Sequence, residues 1–416
     1  MEETKETAWD TRYEWRIVTL LAIGFGLVGM DRFLIMPLFP VMMKDMGLDY
    51  RDLGYITGVL SVAWGISALC TGRLSDRYGH RKVIIPALLI FSALVGLSGL
   101  ATGVSSLLVI RALMGCAEGA YVPSSITATL DASRPNRHGL NLGLQQAAAP
   151  LFGLCLTPVL VTQLLLWMPW HAIFAVVALP GFVLSLLMWR VLRNTKSREQ
   201  ARAPESTSAE ANSWRDLLRV RNVRLSMAAM LCWMTGITVV GAFLPNYLSD
   251  YLHLDLQQMG YVLSATGAGG ALGTALMPAL SDRMGRKPVM LMSVLGALTA
   301  FGLLTRVGSS IVPLFALMFA AVFFLMSLTT LTVGPISTES VPPQLATAAS
   351  GLTIGVGEIF GGGIAPALGG HFAMHFGIQY VPYLAIAALL AGLIITLAIR
   401  ETVPRSVEAE VPFTIS

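Results

Sequence analysis

Apolar residues in this chain run in blocks rather than alternating with polar ones, and each block is close to the ~20 residues that cross the hydrocarbon core of a bilayer. Twelve such blocks can be marked, at 16–43, 53–73, 82–102, 104–130, 138–164, 170–192, 223–249, 257–280, 288–306, 310–334, 345–374 and 379–400. A segment in hydrocarbon must satisfy its own backbone hydrogen bonds, so every block is expected to be an α-helix. The residues before the first block are polar and lead straight into a full-length span, without the marks of a cleavable leader. The first helix is therefore expected to be retained. The expected fold class is an all-α membrane protein with twelve transmembrane helices.

Composition and charge sharpen this picture. Of 416 residues, 55% are apolar and 12% charged, about half the ~25% charged share of a soluble domain. With the N-terminus inside, the loops on that side carry nearly all of the 28 lysines and arginines. Lys44, Arg51 and Arg306 fall outside, and Arg32 and Arg111 lie within spans. This asymmetry follows the positive-inside rule and predicts a multi-pass inner (plasma) membrane protein with both termini cytoplasmic. The net charge of +4 sits in those loops and implies no nucleic-acid partner. Cys70, Cys116, Cys155 and Cys232 lie in apolar stretches and form no CxxC pair. They read as small packing residues rather than disulfides or metal ligands.

The chain divides near its middle. Residues 194–222 form the longest polar stretch between blocks, with the composition of a flexible cytoplasmic linker between halves at 1–193 and 223–416. Within it Trp214, Leu217, Leu218 and Val220 can make a short amphipathic helix on the membrane surface, or belong to a plain charged connector. The halves carry a repeated loop. After the second block the chain reads Gly72-Arg-Leu-Ser-Asp76-Arg77-Tyr-Gly79-His-Arg81-Lys82, and after the eighth Pro278-Ala-Leu-Ser-Asp282-Arg283-Met-Gly285-Arg286-Lys287. The aspartates and arginines can pair with neighbouring helix ends, and the glycines permit a tight reversal. Asp76, Arg77, Asp282 and Arg283 are thus candidates for a conformational latch. The doubled loop, the blocks and the central linker resemble the major facilitator superfamily across essentially the whole chain. The resemblance implies two pseudo-symmetric six-helix bundles enclosing a cavity near the bilayer midplane, worked by alternating access.

Ionisable residues inside a membrane are costly and mark function by default. The first half has Asp31 and Arg32 in its first block, and Arg111 and Glu118 in its fourth; the second half has Glu358 in the eleventh. Arg111 and Glu118 are seven apart, about 10 Å along a helix and within about 20° of one face. Gly115 and Gly119 beside them allow a helix or a substrate to come close. Asp31 and Arg32 point about 100° apart. Arg32 can meet Glu118, Asp31 can meet Arg111, or one residue of each pair can face a cavity.

Asp31-Arg32, together with Arg111-Ala-Leu-Met-Gly115-Cys-Ala-Glu118-Gly119-Ala-Tyr-Val-Pro123, resembles the anion:cation symporter branch of that superfamily, which includes sugar-acid symporters and relatives of sialin and the vesicular glutamate transporters. The resemblance implies that Arg32 and Arg111 bind a substrate carboxylate while Asp31 and Glu118 carry the coupling proton; Glu358 joins them as a candidate proton site. Three positions depart from that branch: Trp64 and Ala68 stand where it usually has tyrosine and glutamine, which suits a less hydroxylated carboxylate than a sugar acid, and Glu358 stands where an asparagine is commoner nearby. Trp64, Gln145 and Gln146 are further candidates for substrate contact. Tyr121 and Tyr247 can line a cavity or simply pack. The glycine-rich stretch from Gly267 to Gly273 and the glycine run 361–363 read as close helix packing, and His371 with His375 as interface residues.

The expected function is proton-coupled symport of a small organic anion by a monomer in the lipid bilayer, with no cofactor, no metal and no enzyme activity. No nucleophile–base set, metal box or phosphate-binding loop is present in the sequence. The alternatives are proton-driven efflux of a drug or metabolite, against which the fifth block lacks the glycine–proline pattern of such exporters, and a non-transporting membrane sensor.

Overall fold

A computed structural model describes residues 10–134, 137–193, 216–342 and 345–402, with backbone only at 69–78, 139 and 347. The described chain is all helical. The apolar blocks become α1 (Thr11–Met46), α2 (Tyr50–Tyr78), α3 (His80–Ser98), α4 (Val104–Ala132), α5 (His138–Pro150, Leu151–Leu156, Thr157–Leu164) and α6 (Trp170–Val191). The second half gives α7 (Arg221–Asn246, Tyr247–Tyr251), α8 (Leu256–Met284), α9 (Arg286–Leu304), α10 (Ile311–Leu331, Thr332–Ile336, Ser337–Glu339), α11 (Ala346–Val356, Gly357–Ile364, Ala365–Phe376) and α12 (Val381–Ala398). Among the described residues, ten helices are long and apolar enough to cross a membrane. The other two, α2 and α8, are 29 residues each but more polar, and each ends in one of the repeated charged loops.

Local chemistry sets the ends. Asp10 caps α1 by accepting from the Tyr13 amide at 3.0 Å, and Gly47 closes that helix in the left-handed region. Between α2 and α3 the chain reverses at a single residue, Gly79 at φ +89°; Gly285 does the same between α8 and α9 at φ +95°. These are the glycines of the repeated loop, where a side chain would be strained.

The two halves repeat in a second way. Leu151–Leu156 in α5 and Gly357–Ile364 in α11 are both wound as π-helix. Their first residues lie 206 apart, the same separation as Asp76 and Asp282. Such segments re-aim side chains and gather at functional sites, and the second one carries Glu358.

Glycine governs how closely the helices approach. A Cβ on Gly115 would overlap the Leu60 carbonyl oxygen, and one on Gly119 that of Trp64, so α4 lies directly on the α2 backbone. Gly54 and Gly58 of α2 meet the carbonyls of Pro366 and Gly363 in α11, and Gly267 of α8 meets Cys155 of α5. The glycine runs in α8 and α11 do pack helices, as their composition predicts. All these contacts between the first and second halves lie at mid-depth or toward the end opposite the chain termini. At the terminus-bearing end, a Cβ on Gly143, Gly334 or Gly351 would meet nothing within 4 Å.

The expected linker at 194–222 lies mostly outside the described residues, as does Trp214. Leu217 is buried in a small cluster with Val223 and Ala349 rather than laid on a membrane surface, whereas Leu218 is exposed.

In membranes helices associate through packing, so filling a glycine contact is a direct test. Gly115→Leu should destabilise the purified protein by ~1–3 kcal/mol through overpacking against α2. Gly143→Leu, placed in open space, should leave the thermal midpoint within about a degree of wild type. Equal losses in the two variants would mean that the α2–α4 contact is not the tight one.

Candidate functional site

The ionisable residues of α1, α4 and α11 gather at mid-depth. Arg32 does not meet Glu118. Its Nη2 donates to Glu358 Oε2 at 2.7 Å and to Ser61 Oγ at 3.0 Å, and Nη1 reaches Glu358 Oε1 at 3.5 Å. The guanidinium also lies 5.8 Å from the centre of the Trp64 ring, within cation–π range. One arginine is therefore held by a carboxylate of the second half, a hydroxyl from α2 and an aromatic face. Both members of the ion pair keep slight exposure, 18% for the Arg32 side chain and 11% for Glu358, so the pair is largely covered but not sealed.

Arg111, Glu118 and Asp31 form a second, drier group inside the first half. Arg111 and Glu118 are essentially fully buried and Asp31 nearly so. Arg111 Nη1 donates to the backbone carbonyl of Asp31 at 3.2 Å, not to its carboxylate. Arg111 Nε and Nη2 and both oxygens of Glu118 have no hydrogen-bond partner among the described residues. An unpaired buried polar group costs free energy that a purely structural ion pair would not leave standing. The charges of Glu118 and Arg111 act on Asp31, and those of Arg32 and Glu358 reach Glu118 as well, so the two groups share one electrostatic environment.

The remaining candidates separate. Trp64 joins the Arg32 group. Gln145 is buried and donates to Ser125 Oγ at 2.9 Å within the first half, whereas Gln146 is exposed. Tyr121 packs edge-on to Phe91, and Tyr247 is buried beside Tyr251. The side chains of Asp76 and Arg77 lie outside the described residues. In the second repeated loop Asp282 pairs with Arg286, which also holds Glu339 at 2.8 Å, while Arg283 is exposed.

Sequence reasoning passed over Ser61, which is one helical turn from Trp64, and Arg286, which sits in the repeated loop beside the expected arginine. It also missed a cluster at the end opposite the termini, where the Tyr50 hydroxyl of α2 donates to Asp250 of α7 at 2.8 Å. Tyr55 and His371 meet there at 2.5 Å, joining α2 to α11. His371 is thus an interface residue, and no group of three potential metal ligands occurs among the described residues.

Comparison with known proteins places this architecture. The family model described as Major Facilitator Superfamily matches residues 21–357 and 227–413. Similar curated proteins include a probable 4-methylmuconolactone transporter of Cupriavidus pinatubonensis, 26% identical over 83% of this chain and 81% of that one. A probable sulfoacetate transporter of Cupriavidus necator is 24% identical over 90% of each, and the 4-hydroxybenzoate transporter PcaK of Pseudomonas putida is 28% identical over 63% and 67%. Among solved structures, the nucleoside transporter NupG superposes with a TM-score of 0.78 at 13% identity, covering 93% of this chain and 98% of that one. A bacterial homologue of the human lysosomal transporter Spinster, in an inward-facing and unoccupied conformation, gives 0.70 at 14% identity over 93% and 95%. These two likenesses carry the fold alone. With its packed apolar helices, its buried charges and a family model spanning nearly its whole length, the chain belongs to the Major Facilitator Superfamily, a family of transporters and not of enzymes.

Proposed function

We propose that this protein is a proton-coupled symporter of a small organic anion, working by alternating access as a monomer in the inner membrane. In this reading α2 and α8 also span the bilayer, giving twelve transmembrane helices in two pseudo-symmetric six-helix bundles. These comprise residues 1–193 and 223–416, joined by a cytoplasmic linker at 194–222, with both termini cytoplasmic. The observation that carries the reading is the pairing of Arg32 with Glu358 across the two halves, beside a buried Arg111–Glu118–Asp31 group with unspent donors and acceptors. The relatives named for organic acids support the substrate class.

The residues suggest a sequence of events. A substrate carboxylate takes the place of the Glu358 carboxylate on Arg32, since a guanidinium fork accepts either one. Glu358, released from its partner, is the natural acceptor of a proton. The unpaired Arg111 donors give a second point of attachment. A proton on Glu118, shared with Asp31, removes an unpartnered buried charge and lets the loaded first half reorient without stranding it in hydrocarbon. Backbone contact between the halves at the end opposite the termini suits a carrier closed on the outside and open to the cytoplasm. The repeated loops would latch the cytoplasmic side when it closes, with Asp76, Arg77, Asp282 and Arg283 contributing.

Two sets of variants test this. Arg111→Lys should weaken carboxylate binding by ~2–5 kcal/mol, because a point charge replaces a planar fork in a desolvated site. Glu118→Gln, which imitates the protonated acid, should keep binding and exchange substrate across the membrane while losing proton-driven accumulation. If both variants bind normally and merely fold in lower yield, these residues are scaffolding.

The second test concerns the pair between the halves. Glu358→Gln frees Arg32 from competition, so the variant should bind the carboxylate more tightly than wild type yet return slowly when empty. Its exchange should then outlast its net uptake. Weaker binding in Glu358→Gln would mean that Glu358 shapes the site rather than competes for it.

A further inference from the structure

Buried polar side chains continue from Glu118 to the terminus-bearing end of the first half. Ser125 and Thr129 follow Glu118 by seven and eleven positions, so both lie within about 20° of its face of α4, Thr129 about 16 Å further along it. Beside them α5 contributes Gln145 and Asn141, one turn apart. Gln145 donates to Ser125 Oγ at 2.9 Å, and Asn141 donates to Ser133 Oγ and to Glu14 Oε1, both at 2.8 Å. Ser133 Oγ in turn donates to the Thr129 carbonyl at 2.6 Å. All of these side chains are fully buried or nearly so, Glu14 included. Glu14 Oε1 also accepts from the Arg134 amide at 3.3 Å. Its Oε2 lies 4.0 Å from Arg137 Nη1, whose side chain is 35% exposed, so the file ends one contact from solvent.

The file is only partly bonded. Of the ten buried polar side-chain atoms without a hydrogen-bond partner among the described residues, eight belong to Arg111, Glu118, Thr129, Arg134, Asn141 and Gln145. Those of Glu118, Thr129, Asn141 and Gln145 are all oxygens, which a chain of buried waters would serve. Packing does not ask for them: valine at 129 or leucine at 145 would fill similar space without the cost of an unpartnered group. The second half is a bundle built without such a file. The repeated loops and the π-helical turns both recur at a separation of 206, and these markers bracket α4 and the first part of α5. At that separation Phe324, Leu331, Pro335 and Gly351 stand in place of Glu118, Ser125, Thr129 and Gln145.

We propose that this file is the proton's exit from Glu118 to the cytoplasm, running inside the first half rather than through the cavity between the halves. The inference rests on Glu118 as the coupling acid. Glu118 gives its proton to the first water and is left as the carboxylate. Each water or hydroxyl, those of Ser125 and Thr129 included, accepts one proton and passes another on, while the Gln145 and Asn141 amides hold the waters in line. The Glu14 carboxylate takes the last proton and releases it beside Arg137. Each transfer needs its partner within hydrogen-bond reach or one water away, so removing one link interrupts the file.

The test uses the purified full chain in proteoliposomes, with labelled benzoate as the probe and a pH-sensitive dye inside. Thr129→Val removes a hydroxyl that bonds to no described residue, so a purely structural role predicts no loss. It should instead slow benzoate-driven proton movement and net uptake by about tenfold, while exchange of benzoate across the membrane stays within about twofold. Thr129→Ser, which restores a hydroxyl, should recover most of the rate. Glu14→Gln keeps an acceptor for Asn141 but takes no proton, and should slow net uptake in the same way. A folded variant of either kind, Thr129→Val or Glu14→Gln, with wild-type net uptake overturns the proposal and means that the proton leaves through the open cavity. Equal losses of exchange and net uptake also overturn it, since they mark a general defect. Wild type that moves no protons with benzoate instead removes the symport reading beneath it.

Discussion

A guanidinium buried among apolar helices has to be neutralised, and in this protein the carboxylate that neutralises Arg32 comes from the opposite half of the chain. Much else follows from that arrangement. Because Glu358 belongs to α11 and Arg32 to α1, the pair exists only while the halves are close at that depth. Replacing a buried ion pair by apolar groups is often neutral or stabilising, so its contribution to holding the fold is a weak reason for it to be there. In the proposed mechanism the pair has a stronger one, since a substrate carboxylate would exchange into it and so link the charge of one half to the position of the other. The π-helical turn that carries Glu358 and the glycines that let α2 lie against α11 bring the two groups within 2.7 Å.

Two chemically different environments result. The Arg32 group is partly open and every charge in it has a partner. The Arg111–Glu118–Asp31 group is dry, confined to the first half, and holds unpartnered donors and acceptors. Because the charges of Arg32 and Glu358 reach Glu118, an exchange of ligands at one group would be felt at the other, as the proposed coupling needs. Beyond Arg32 the seam is lined mostly by apolar residues. A cluster of polar contacts around Tyr50, Asp250, Tyr55 and His371 then closes the far end.

Much of this was legible in the sequence because lipid imposes simple rules. Block length set every helix to within a few residues, and the glycines of the repeated loop read correctly as tight reversals at Gly79 and Gly285. The charged residues Asp31, Arg32, Arg111, Glu118 and Glu358 stood out because charge in hydrocarbon is rare. Who pairs with whom was not legible. Helical spacing gives faces within one helix, but the meeting of Arg32 with Glu358, 326 positions away, depends on the crossing of α1, α2 and α11. Ser61 carried no signal because one serine in an apolar helix is ordinary. Arg286 was hidden beside Arg283, since sequence does not tell which of two neighbouring arginines turns toward Glu339.

The central claim is that a carboxylate and a proton cross together. It is tested most directly by reconstituting the purified chain in proteoliposomes and following a labelled aromatic carboxylate under an imposed pH gradient. The account predicts uphill accumulation on the alkaline side, abolished by a protonophore and insensitive to sodium. Saturable binding without any accumulation, or accumulation that ignores the proton gradient and follows a counter-anion instead, would contradict it.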